Sequence, residues 1–169
     1  MGALLLYRKT LADSVCVVPC NDPMLSAVKR CTQHGPVLVL GVYMPTDYHD
    51  DNSVDRYMET CGKIDAVITD CDVAETVIIG DFNCQAGWRL YNSFTNLLTA
   101  NKLVCSDGNM LKDAYTYNNS DCSCISWIDH ILCTNSLNSA ISEIRVLCEF
   151  ILSDHKPISV NFCELLSST

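Results

Sequence analysis

Basic residues are scarce in this chain of 169 residues: 11 Lys and Arg stand against 20 Asp and Glu, a formal net charge of −9. Affinity for a nucleic-acid backbone comes largely from neutralised phosphates and released counterions, so this balance argues against a strong non-specific DNA binder. It leaves room for a local basic groove or for a metal-bridged phosphate site built on carboxylates. Glycine and proline are also few, 7 and 5, and charged residues make up 18%. That excludes a collagen-like repeat, a low-complexity linker and a disordered tail. No apolar run approaches the ~18 residues of a membrane span. Ala3 to Tyr7 is too short for the apolar part of a signal peptide and runs straight into Arg8 and Lys9. An intracellular protein, nuclear or cytoplasmic, is therefore expected, with no membrane contact and no sign of a protein partner. The twelve cysteines include no C-x-x-C pair, which speaks against a zinc ribbon or finger.

What the chain does have is apolar surface, 49% of residues, enough for one domain over 1–169 with a sizeable core. Most cysteines sit in apolar runs such as Ile131-Leu132-Cys133 and Val146-Leu147-Cys148, the pattern of reduced thiols packed as small hydrophobes. Strands are expected at Ala3 to Tyr7, Val15 to Val18, Leu25 to Lys29 and Val37 to Tyr43, the last a β-branched run covered on both faces and stopped by Pro45. From about Asp51 to Asp72, Val54, Met58, Cys61, Ile64 or Asp65, Ile68 and Cys71 recur at three- and four-residue steps, which predicts an amphipathic helix, with Asp50, Asp51 or Asn52 at its N-cap. Thr76 to Ile79 reads as a buried strand ended by Gly80. A second helix is expected over Arg89 to Ala100, with Leu90, Phe94, Leu97 and Leu98 on one face. Further strands are expected at Ala114 to Tyr117, Ile125 to Cys133, Ile141 to Cys148 and Ile158 to Phe162. Dominant strands with two returning helices predict an α/β or α+β sandwich.

Three clusters stand at strand ends, where backbone geometry can aim side chains into a cleft. Gly80-Asp81-Phe82-Asn83 follows a buried strand, and in an extended chain Asp81 and Asn83 project to the same side. Asp and Asn are also ordinary turn formers there. In Ser126-Trp127-Ile128-Asp129-His130, alternation separates Asp129 from His130. An Asp within an apolar strand is costly unless paired, so Asp129 wants a partner, and a histidine elsewhere in the chain is the natural one. His130 reads as a packed histidine on the opposite face. In Ser153-Asp154-His155-Lys156-Pro157, His155 suits general acid–base work, and Asp154 can contact a divalent metal or a leaving group.

In this order, and with Gly41-Val42-Tyr43-Met44-Pro45 upstream, these motifs resemble the endonuclease/exonuclease/phosphatase superfamily of metal-dependent phosphodiesterases. The resemblance runs from about Gly2 to Phe162. It implies a four-layer sandwich, two mixed β-sheets face to face with helices outside. It also implies in-line hydrolysis of a phosphodiester, with Mg²⁺ offsetting charge on the oxygens. Carried over, Asp81 orients or deprotonates the attacking water, and Asn83 and Tyr43 hydrogen-bond the phosphate. Asp129 pairs with His155, whose charged form faces the phosphate, and Asp154 helps at the metal or the leaving group. Asp81 and Asn83 are the other metal candidates.

The wording of the second and third motifs resembles the endonuclease domain of LINE-type (non-LTR) retrotransposons, which implies DNA as substrate. The alternative is an inositol polyphosphate 5-phosphatase. That family places Cys before the Asp, Arg after it, and Asn-Tyr-Arg after Gly-Asp-Leu. Here those places hold Ile128, His130 and Asn83-Cys84-Gln85, so its substrate-reading residues are absent. The superfamily's first two strands, ending in an Asn and in a metal-binding Glu, precede the strand that Ala3 to Arg8 resembles. The chain is thus expected to be an N-terminally incomplete domain, with activity impaired or lost, or an inert remnant.

Overall fold

The computed structural model describes residues 2–111, 115–119, 123–149 and 153–163. A 3-10 turn at Lys9–Ser14 leads into β1 (Val15–Val18), followed by β2 (Leu25–Thr32) and β3 (Gly35–Tyr43). Then come α1 (Asn52–Cys71), β4 (Glu75–Asp81), α2 (Tyr91–Ala100), β5 (Leu103–Cys105) and α3 (Ser106–Met110). The second half holds β6 (Tyr117–Asn118), β7 (Ile125–Ser126), β8 (Asp129–Thr134), α4 (Asn135–Ser139), β9 (Ile141–Val146) and β10 (Ile158–Phe162).

The main sheet has six strands in the order β1-β2-β3-β4-β8-β5. Only β3 and β4 run parallel, and α1 supplies the crossover that a parallel pair requires. On one face, α1 and α2 cover Leu38, Leu40, Ile78 and Leu132. On the other, the antiparallel pair β9–β10 covers Val37, Val77, Ile131 and Cys133. The result is the expected α/β sandwich with a mixed central sheet. The second sheet is this two-stranded antiparallel pair, and no helical layer lies outside it among the described residues.

Local departures have identifiable causes. The segment expected as a strand at Ala3 to Tyr7 joins no ladder. Ala3 N–H donates to Pro23 O at 2.8 Å, and Leu5 lies against Gly41, where a Cβ would meet its Cδ2 at 3.3 Å. Ile125 to Cys133 is two strands rather than one. The N–H groups of Ile128 and Asp129 both donate to Thr116 Oγ1, and that of Trp127 donates to Gln85 Oε1, so the ladder has no donors between β7 and β8. Of Ala114 to Tyr117, Ala114 lies outside the described residues and only Tyr117 is in a strand. The strand from Ile141 stops at Val146: Leu147 N–H still reaches Pro157 O, but the proline has no N–H to return, and Cys148 N–H turns back to Val146 O.

Helix α1 buries Tyr57, Thr60, Ile64 and Val67. Of the expected stripe, Ile64 is in the core and Val54, Cys61, Ile68 and Cys71 pack against it, while Met58 is half exposed and Tyr57 takes the buried place beside it. Tyr57 is fully buried, and its hydroxyl donates to Phe82 O at 3.0 Å. All described cysteines are free thiols. Cys84 and Cys133 are buried, but Cys148, expected inside, is exposed at the turn after β9. Among the described residues no helix is long and apolar enough to cross a membrane.

Gly80 marks a close approach of backbone to backbone. It pairs with Val42, and a Cβ there would lie 1.9 Å from Val42 O. Gly80→Ala is expected to lower stability by about 3 kcal/mol, the upper range for overpacking, because backbone cannot swing aside as a side chain can. Urea unfolding checks this, and a midpoint equal to the parent's would refute it.

Candidate active site

The site is a row across three strands. Tyr43 on β3 pairs with Asp81 on β4, and Asp81 pairs with Asp129 on β8. Two residues earlier or later on the same strands, Ile79 and Ile131 belong to the core cluster under β9–β10, so by alternation Asp81 and Asp129 face that side too. The row sits where this apolar floor ends.

Beyond Gly80 the chain leaves the sheet through Asn83, whose φ of +46° is left-handed, a conformation that Asn adopts more readily than most residues. Asn83 N–H donates to Asp81 Oδ1 at 2.8 Å, and its Nδ2 donates to Met44 O at 2.7 Å. The amide is thus fixed against the end of β3, and its carbonyl oxygen accepts no hydrogen bond among the described residues. Burial pushes the Asp81 carboxyl up to about 6, and Asp129 adds to the rise against the opposing Asn83 N–H and His155.

His155 reaches this row from the segment before β10. Its Nδ1–H donates to Asp129 Oδ2 at 3.0 Å, and its Nε2 lies 3.9 Å from Asp81 Oδ2. The hydrogen bond to Asp129 holds its pKa above the usual value despite partial burial. The Tyr117 ring packs edge-on against the imidazole at 5.1 Å. Thr116, fully buried, takes Asp129 N–H on its hydroxyl and Lys156 N–H on its carbonyl, at 3.0 and 2.7 Å. One threonine thus ties together the backbones carrying both halves of the pair.

Tyr43, Asp81, Asn83 and His155 line one cleft of about 680 Å³, with Arg89 and Tyr117 also in its wall. Asp129 does not line it, and Asp154 is exposed outside it, its Oδ1 accepting from Ser153 Oγ at 3.3 Å. Asp81, Asp129 and His155 offer ligand atoms within 4.8 Å of one another. Two carboxylates, one of them raised by burial, suit a hard divalent cation, and Asn83 Oδ1 adds a neutral oxygen.

His130, as expected, is packed on the other face. Its Nδ1–H donates to Asp107 Oδ2 and its Nε2–H to Cys84 O, both at 2.8 Å. Burial alone would lower its pKa, but the hydrogen bonds to Asp107 and Cys105 prevail and raise it to about 10. Sequence reasoning missed Thr116, Tyr117 and Asp107. A short Tyr-Thr-Tyr run and an Asp between Ser and Gly carry no periodic signal.

With this architecture and row, the chain has the endonuclease/exonuclease/phosphatase fold. It is similar to the endonuclease domain of TRAS1, a telomere-specific non-LTR retrotransposon, with a TM-score of 0.68 and 17% identity over 88% of this chain and 68% of that one. It is also similar to a Neisseria protein, NExo. One NExo structure is described as a 3′-5′ exonuclease from Neisseria meningitidis, with TM-score 0.67, 21% identity and coverage of 88% and 70%. The other is described as a 3′ phosphatase bound to a product DNA hairpin, with TM-score 0.64, 19% identity and coverage of 80% and 64%. An endonuclease/exonuclease/phosphatase family protein from Leptotrichia buccalis matches with TM-score 0.61 and 18% identity, over 82% of this chain and 52% of that one. The chain thus spans between about half and seven-tenths of the structures it resembles. No family model and no curated protein matches the sequence significantly.

Proposed function

We propose that the chain is a divalent-metal-dependent phosphodiester hydrolase acting on DNA, of the retrotransposon endonuclease type. The observation that carries this reading is the Asp129–His155 pair beside Asp81, with Asp81 and His155 lining the cleft. The fold is shared with a retrotransposon endonuclease domain and with a phosphatase bound to DNA, which supports phosphate-ester chemistry on nucleic acid.

Asp81 and Asn83, with Asp129 beside them, would hold the metal ion, and Mg²⁺ bound there supplies charge neutralisation at the phosphate oxygens. Asp129 fixes the tautomer of His155 and stabilises its cation, leaving Nε2–H to donate to a phosphate oxygen. Asp81 orients the attacking water and takes its proton. Tyr43 and the second Asn83 amide hydrogen donate to the phosphate. Asp154 lies next to His155 in the chain but is exposed outside the cleft lining, so the expected part at the metal or the leaving group is not assigned to it.

The test is nicking of supercoiled plasmid. Activity that needs Mg²⁺, stops with EDTA and is absent in Asp81→Asn supports the reading. Hydrolysis of an inositol polyphosphate without nicking overturns it in favour of the phosphatase, and a folded protein inert on both would be a remnant.

The pH profile follows from Asp81. With its carboxyl at about 6, kcat/KM is expected to rise with pH through that value as the carboxylate forms. Raising the metal concentration stabilises the carboxylate and should move this limb to lower pH. A limb that ignores metal concentration would show that another group controls the rate.

A further inference from the structure

On the opposite face of the sheet from the row, three side chains converge that the hydrolytic reading does not use. We propose that Cys105, Asp107 and His130 form a second metal site, for a transition ion of the Zn²⁺ class, at the floor of a separate cleft. The site stands whether or not the chain hydrolyses DNA.

The first argument is spacing. The three residues offer ligand atoms within 4.8 Å of one another. Cys105 Sγ lies 3.5 Å from Asp107 Oδ1 and 3.7 Å from His130 Nδ1, and Nδ1 lies 2.8 Å from Asp107 Oδ2. Around a tetrahedral Zn²⁺ with ordinary Zn–S and Zn–N bonds, neighbouring ligand atoms stand about 3.3–3.6 Å apart. The sulfur therefore already stands close to coordination distance from Nδ1 and from Oδ1, while Oδ2, 2.8 Å from Nδ1, must draw back by about 0.5 Å to share an ion with the ring.

The second argument is what surrounds these atoms. A metal-binding histidine commonly donates its other N–H to a carbonyl or carboxylate, and ligating carboxylates are themselves hydrogen-bonded. His130 Nε2–H donates to Cys84 O at 2.8 Å, and Asp107 Oδ1 accepts Ile131 N–H at 2.7 Å. Asp107 is wholly buried and His130 nearly so, so both are held in place.

Access and charge also agree. Cys105 and His130 line a cleft of about 480 Å³ that Trp127 also lines. The buried Trp127 Nε1 has no hydrogen-bond partner among the described residues. Three protein ligands leave a fourth position for water or another small ligand, as in open zinc sites. Without metal, the Asp107 carboxylate, the His130 imidazolium and the Cys105 thiol sum to zero charge. A divalent ion displaces the protons on Nδ1 and Sγ to solvent, and ion, carboxylate, thiolate and neutral imidazole again sum to zero. The exchange leaves no net charge in the core.

Co²⁺ titrated into the reduced full chain tests the site. Expected are a sulfur-to-cobalt charge-transfer band in the near ultraviolet and the visible bands of tetrahedral cobalt. Cys105→Ser should lose the charge-transfer band with an unchanged far-ultraviolet CD spectrum, while Cys148→Ser and Asp81→Asn keep it. The last variant separates this site from the oxygen-rich row. Zn²⁺ should also protect Cys105 from iodoacetamide, read by peptide mass spectrometry, which needs no variant to fold. A folded parent without the band, a band retained in Cys105→Ser, or equal alkylation of Cys105 with and without Zn²⁺ overturns the proposal.

Discussion

Replacing His155 by alanine is expected to lower the nicking rate by about 10²–10⁴-fold, the usual contribution of a positioned acid–base group. The loss should fall on kcat more than on KM, because the imidazolium matters most when charge builds on the phosphate. Its fold cost should be small. The side chain is 34% exposed, and its segment is held by backbone contacts, including Lys156 N–H to Thr116 O, which alanine leaves intact. Asp129→Asn should give much of the same loss, since an amide can no longer stabilise the charged ring. Single-turnover nicking by parent and variants at matched folded concentration decides the matter. Equal rates for parent and His155→Ala would remove this histidine from the chemistry.

The second large effect is on stability. Asp107→Asn should cost about 3–5 kcal/mol, the range for stripping one partner from a buried ion pair. The amide preserves shape and can still accept Ile131 N–H, yet it leaves the His130 imidazolium without its counter-charge. Stability should also depend on pH in a particular direction. The folded pKa of His130, about 10, lies above its ordinary value of 6.5. Its contribution is therefore complete below ~6.5 and is lost as pH rises through about 10. Asp107 and Cys105 are the titratable groups that face it. Urea unfolding across this window should show the parent losing stability toward alkaline pH and Asp107→Asn showing a flatter curve. A loss below ~1 kcal/mol, or parallel curves, would mean that the pair is not charged in the folded protein.

These two effects differ in how far the sequence foretold them. Asp129 in an apolar strand demanded a partner, and the pairing with His155 met that demand because burial makes an unpaired carboxylate expensive wherever it occurs. The long periodic elements were legible for a similar reason: β3, α1 and β4 bury whole faces, and a buried face writes its period into the chain. Asp107 was not legible. It sits in a five-residue helix containing a glycine, where no period can develop, and its partner lies on a strand 23 residues away. Thr116 was hidden likewise, because its work is done for backbone groups at 128, 129 and 156. Ala3 to Tyr7 shows the converse error. Its composition suits a strand, but a strand also needs a neighbour, and composition says nothing about one. On α1 the period named the buried face but not that Tyr57, rather than Met58, fills its centre, where its hydroxyl meets Phe82 O.

Tyr43, Asp81 and Asp129 face one way only because β3, β4 and β8 are aligned residue for residue. A slip of β8 by one position would put His130 beside Asp81 and bury Asp129 among the aromatic rings on the far side. The protein should therefore accept many side-chain changes along these strands but no deletion or insertion of a single residue within them. Length, more than identity, is what the middle of this sheet must inherit unchanged.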